Sequence, residues 1–313
     1  MNGLELSRAF FERHGKPMLE QDFPGLLPLL AVGLFGRGSE CFGYDDDVSR
    51  DHDYEPGFCI FLPGEELISR RDEFLLERAY AKLPKSFMGV ERQIVLPVGG
   101  ARHGVLRTEA FFLRTVGTPD GNLELSQWLS LPEQALAEAT NGELFLDNYG
   151  EVTRIRSSLS YFPEDVRLKR LAGHLLLMAQ SGQYNYRRCL NHGEPAAAQL
   201  AVTEYVRSCL SVVFLLNCQY QPYYKWVFRA LRNLPMLSDL AAPLEYLLTT
   251  GNDTEHAREK ETIIEDIAAG IVSALAEQSL TRTSGNDLER HAYSVNDRVK
   301  NNSLRTAHIL TAV

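Results

Sequence analysis

Between Gly33 and Leu62 the chain reads GLFGRGSECFGYDDDVSRDHDYEPGFCIFL, seven acidic residues among glycines ahead of an apolar run. Carboxylates repel one another, and glycine weakens any regular element it interrupts. A cation held there offsets both costs. Asp51 and Asp53 flank His52, and alternate residues of an extended segment share one face. Two carboxylates on one face, opposite a turn at Gly38 and Ser39, suit Mg2+ carrying a nucleoside triphosphate. In the turn, backbone N–H groups and the Ser39 hydroxyl are the phosphate donors. The competing reading is a solvated acidic loop or a structural cation site; the alternation of Asp51 and Asp53 into GFCIFL argues against a plain loop. Asp45, Asp46 and Asp47 read as loop acids that cap, or pair with Arg37 or Arg50.

Further polar islands follow. In MAQSGQYNYRR, Gln183, Asn185 and Arg187 sit among tyrosines and either line a cleft facing the nucleotide or form a solvated helix face. In QPYYKWVFRAL, Pro222 opens a helix and Lys225 falls in its first turn beside Tyr224 and Trp226. A lysine stem lying on a ring is the ordinary surface alternative. His103 is a candidate base near neutral pH, or a hydrogen-bonded histidine at a strand end. Arg167, Lys169 and Arg170 of EDVRLKR read as a solvated face, and Glu204 as a partner of Arg207.

These residues need elements to carry them. Residues 4–14 have helical spacing, LLAVGLFG and GFCIFL read as buried strands, and residues 65–83 as a helix with Leu67, Ile68, Phe74, Leu75 and Tyr80 apolar. RQIVLPV is a further strand, and HGVLRTEAFFLRTVG a strand turning into a helix near Thr108. From Ser126 onward the pattern is helices separated by Gly, Pro and Asn. The expected class is α+β: a small mixed sheet with helices over 1–125, then an all-helical bundle over 126–313. GTPDGN and DNYGE are the loop signals around that boundary.

At 313 residues, 44% hydrophobic, the chain can build two cores. A net charge of −9 argues against general nucleic-acid or anionic-membrane binding and against an RNA-end transferase, while leaving room for a local basic cleft. Five scattered cysteines and an amphipathic, charged N-terminus predict reduced thiols in a soluble, cytoplasmic protein. LLPLLAVGLFG and CLSVVFLLN are too short to span a bilayer.

Gly38-Ser39 followed by Asp51-His52-Asp53 resembles the signature of the nucleotidyltransferase superfamily, the DNA polymerase β-like group. The wider wording GRGSECFGYDDDVSRDHDYEPGFCIF, with YFPEDVRLKRLAGHLLLMAQSGQYNYRR and LLNCQYQPYYKWVFRAL, resembles a bacterial family of nucleotidyltransferase-like proteins catalogued as a domain of unknown function. The resemblance implies a nucleotidyltransferase fold closed by a helical domain, with the site in the cleft. It implies transfer of a nucleoside monophosphate, AMP from ATP, to an acceptor hydroxyl on a small molecule or protein, with pyrophosphate released. Asp51 and Asp53 then hold Mg2+, Gly38 and Ser39 the β- and γ-phosphates, and Lys225 the leaving group, with Arg229 secondary. The superfamily's third carboxylate falls near His103, with Glu109 slightly later, and Glu204 matches a helical-domain base of aminoglycoside-type relatives. The alternative is an inactive nucleotide-binding regulator or antitoxin-like partner on the same fold.

Overall fold

The computed structural model describes residues 1–48, 54–92 and 103–313. Its strands are β1 (Ala31–Leu34), β2 (Cys59–Leu62), β3 (Ser86–Phe87), β4 (Val90–Glu91), β5 (Gly104–Arg107) and β6 (Glu143–Asp147). Four form one mixed sheet, in the order β5-β2-β1-β6. β1 runs antiparallel to both β2 and β6, while β2 and β5 are parallel. β1 and β2 are buried along their whole length, as central strands covered on both faces must be, so they read as unbroken apolar runs. Phe10, Phe11, Phe58, Ile60, Leu76 and Tyr80 pack the core beside them. Tyr80 is tied in through its hydroxyl, which accepts the Phe58 N–H at 3.1 Å and donates to the Phe58 carbonyl at 2.9 Å.

The chain divides into two compact units, Met1–Leu123 with Gln134–Ser160, and Glu124–Glu133 with Tyr161–Val313. The single division expected at 125/126 differs from this. The reason is β6, which the sequence reading placed in the helical region and which pairs with β1. The second unit is helical, built on Glu164–Met178, Pro195–Leu216, Thr254–Glu277 and Leu288–Asn296 among others. The α+β class, with a small mixed sheet and a helical C-terminal region, therefore holds.

Other expectations change in detail. The helix expected over 65–83 spans Arg70–Ala81 and buries Leu76 and Tyr80, leaving Phe74 55% and Leu75 42% exposed. CLSVVFLLN is the end of the 22-residue helix Pro195–Leu216, which is long and apolar enough to cross a membrane but mostly buried in its unit, as a core helix is. Of the RQIVLPV strand, residues 93–98 lie outside the described residues. All five cysteines are thiols.

Candidate functional site

Strand register brings three segments to one end of the sheet. Gly33 of β1 lies opposite Cys59 of β2, and Cys59 lies beside Gly104 of β5. The end of β1 therefore coincides with the starts of β2 and β5. The Gly36–Ser39 turn leaves from that end, Glu55 precedes β2, and His103 directly precedes β5.

Gly36 and Gly38 take φ of 114° and 119°, a backbone region that L side chains rarely adopt, so glycine makes this turn. Ser39 follows, buried, and starts a single 3-10 turn, Glu40–Phe42, rather than a longer helix. Its carbonyl accepts N–H groups from Phe42 and Tyr44, at 3.2 and 2.8 Å. Its hydroxyl makes no capping bond. The turn is braced by the segment before β6. Asn141 bonds both polar groups of Gly36, and the Gly142 N–H donates to the Cys41 carbonyl at 2.8 Å. Arg156 in turn bonds the carbonyls of Thr140 and Asn141 and lies over the Phe35 ring, 4.6 Å from its centroid.

His103 and Glu55 form a buried pair, Nδ1 to Oε1 at 2.8 Å. A carboxylate only accepts, so Nδ1 carries the proton of this bond and Nε2 is the ring nitrogen left for another partner. Gly57 makes room for the ring: a Cβ there would come within 2.6 Å of His103 Cγ. Glu55 is the partner that sequence reading missed, although it stands in DYEPG right behind the Asp pair. Oriented by a carboxylate, an imidazole can take a proton from a bound hydroxyl.

Asp51 and Asp53 lie outside the described residues. Among the described residues no group of three metal-ligating side chains comes together. Asp45 accepts the Gly3 N–H through Oδ2 at 2.7 Å, while its Oδ1 is buried without a hydrogen-bond partner. Asp46 accepts from the Val48 N–H, and Arg37 meets Glu138 at 3.5 Å.

The remaining candidates belong to the second unit. Lys225 is exposed on the helix Tyr224–Leu231, which starts two residues after Pro222, and its Nζ lies 4.9 Å from the Trp226 ring centroid. Arg229 lies over the same ring, at 5.9 Å. Gln183, on the π-helical stretch Ala179–Tyr186, donates to Glu265 and the Asn286 carbonyl and accepts the Leu288 N–H. Arg187 pairs with Glu261 at 3.1 Å, and Asn185 is exposed. Glu204 accepts from Ser208.

The EDVRLKR cations are not a solvated face. Arg167, Lys169 and Arg170 are all buried, Lys169 completely. Arg167 grips Glu164 with two nitrogens, at 2.7 and 2.8 Å. Lys169 donates to Asn296 and the Ala307 carbonyl, and Arg170 to the carbonyls of Leu129 and Leu131. These cations satisfy chain ends that apolar side chains could not. Burial holds Glu133, 3.8 Å from Arg170, above the usual carboxylate range, against the opposing pull of the Gln221 N–H and Arg170.

Residues 128–227 match the model of a family described as a domain of unknown function, DUF4037. The matched segment contains β6, the π-helical stretch and Lys225, and leaves the Gly38, Glu55 and His103 region outside it. No curated protein matches the chain.

Proposed function

We propose that the chain is a metal-dependent nucleotidyltransferase of the DNA polymerase β-like kind, moving AMP from ATP to an acceptor hydroxyl. The observation that carries this reading is the His103–Glu55 pair, set at the sheet end from which the Gly36–Ser39 turn departs. The superfamily resemblance puts a third acidic group on a later strand next to the Asp pair, and His103, directly ahead of β5 and backed by Glu55, is our candidate for that role.

In this reading the turn at Gly38 and Ser39 receives the β- and γ-phosphates, and Asp51 and Asp53 hold Mg2+. The buried, unbonded Oδ1 of Asp45 supports a cation in the same acidic loop. When bound, the metal supplies neutralisation of phosphate charge. His103 takes the acceptor proton at Nε2 while Glu55 keeps Nδ1 protonated. The acceptor oxygen forms a bond to the α-phosphorus, the α–β bridging bond breaks, and pyrophosphate leaves with the electron pair. Lys225 is the cation proposed to receive it.

Calorimetric titration of ATP with Mg2+ into the wild type and an Asp51→Asn/Asp53→Asn variant tests the site. Metal-dependent binding that disappears in a folded variant supports the reading. Absence of binding by any common nucleoside triphosphate to the wild type overturns it. The histidine in place of a third carboxylate also favours a second reading, a nucleotide-binding regulator or antitoxin-like partner without transfer. Pyrophosphate release in an acceptor screen separates the two.

A further inference from the structure

Three arginines line an open cavity of about 710 Å3 in the second unit. Arg282 lies ahead of the helix Leu288–Asn296, Arg290 on it and Arg298 just past its end. Tyr293 and Ser294 continue the wall, because residues three and four along a helix share its face. None of the residues placed in the proposed transfer site lines this cavity.

The wall is fastened without any ligand. The Arg282 N–H donates to Ser294 Oγ at 2.9 Å. His291, fully buried, bonds Thr281 Oγ1 through one ring nitrogen and the Gly285 carbonyl through the other, both at 2.8 Å. Gln183 fixes the same loop at Asn286 and Leu288. A cavity whose sides are tied down in this way needs little ordering when something binds.

Its charge is one-sided. Arg290 meets Asp287 through Nε at 3.1 Å, and among the described residues no ion pair engages Arg282 or Arg298. Asp297 is the one carboxylate on the wall and Asp287 pairs with Arg290 from beside it, so three guanidinium groups stand against two carboxylates. On a chain of net charge −9, that local excess stands against the overall field. Guanidinium forks match phosphoryl oxygens in pairs, and Thr283 and Ser294 add hydroxyls. The volume is that of a small-molecule site, far larger than one phosphate fills. Tyr293, half exposed, offers a ring face for a flat group.

We infer that this cavity binds a small phosphoester of nucleotide size, its phosphate on Arg282, Arg290 and Arg298 and its flat ring on Tyr293. The test is calorimetric titration of AMP, with EDTA present, into full-length protein carrying Asp51→Asn/Asp53→Asn. Without divalent cation or the Asp pair, the metal-dependent binding of the proposed transfer site is removed, and the arginine variants assign the binding that remains to this cavity, so this inference stands or falls by itself. One AMP per chain should bind. Affinity should drop about tenfold or more with Arg282→Gln/Arg298→Gln added, the loss expected when a charge-assisted hydrogen bond goes. Arg298→Lys, which keeps the charge and loses the fork, should fall between. Tyr293→Ala should weaken AMP and leave ribose 5-phosphate unchanged. Thermal melting of each variant checks the fold. No AMP binding at millimolar concentration, equal binding by the arginine variant, or adenosine binding as tightly as AMP would overturn the assignment.

Discussion

Asn141 holds Gly36 from both sides: its Oδ1 accepts the Gly36 N–H and its Nδ2 donates to the Gly36 carbonyl, each at 2.8 Å. A residue 105 positions away in sequence thus stands in for a strand neighbour at the point where β1 ends and the glycine turn begins. Asn141→Ala should lower stability by about 1–3 kcal/mol, the cost of stranding two part-buried backbone groups. Asn141→Asp, which accepts but cannot donate, should fall in between. Urea unfolding reads both, and an unchanged midpoint in the alanine variant would show that the clasp does not hold the turn.

The His103–Glu55 pair separates chemistry from binding. His103→Gln should slow pyrophosphate release by roughly 10²–10⁴-fold, the usual worth of a positioned base, with Mg·ATP affinity unchanged. Glu55→Gln should cost less, because an amide oxygen still accepts from Nδ1–H. Equal loss of ATP binding in both would assign the pair to structure instead.

His174 should make the protein sensitive to acid. Burial, followed by the charges of Arg170 and Arg207, holds this imidazole down at about 3, against 6.5 in its ordinary state, and its Nδ1 is buried with no hydrogen-bond partner. Between those two values the unfolded chain carries the proton and the folded chain does not, so stability falls as pH drops from 6.5 toward 3. The slope is at most about 1.4 kcal/mol per pH unit. His174→Gln should remove that part of the slope in denaturation curves taken from pH 7 to 4. Parallel curves for the two proteins would mean that His174 takes no part.

Within the π-helical stretch Ala179–Tyr186, Gly182 meets the Tyr205 ring at close range. A Cβ at Gly182 would sit 2.2 Å from Tyr205 Cδ2, and the Tyr205 hydroxyl is committed to the Ile264 carbonyl at 2.8 Å. Gly182→Ala should therefore destabilise by about 1–3 kcal/mol, an overpacking cost. With Tyr205→Ala already present, the same change should cost measurably less, a coupling that thermal unfolding of the four proteins reads directly.

Much of this was legible in the chain. β1 and β2 announced themselves as apolar runs, and the helix starting at Thr108 falls where the pattern changes period. β6 did not: ELFLD is short, begins and ends in acids, and is flanked by helices, so only pairing with β1 reveals it. The hairpin β3–β4 is shorter still, two residues a side around Met88 and Gly89, both with positive φ. The buried cations Arg167, Lys169 and Arg170 were read as solvated because burial of a charge is decided by distant carbonyls and amides. The Gly-Ser turn was found at the end of β1, but the residue that clasps it lies beyond the expected domain boundary.

That last point bears on how the protein can be cut. A fragment ending at residue 125 would keep the glycine turn and lose β6, and with it one whole side of β1. The result would be an apolar strand with an open row of backbone donors and acceptors, a template on which fragments line up edge to edge. Gel filtration should show such a fragment as multimers. The first unit instead closes at Ser160, so its gene sequence must carry the Glu124–Glu133 segment of the other unit as an unavoidable passenger.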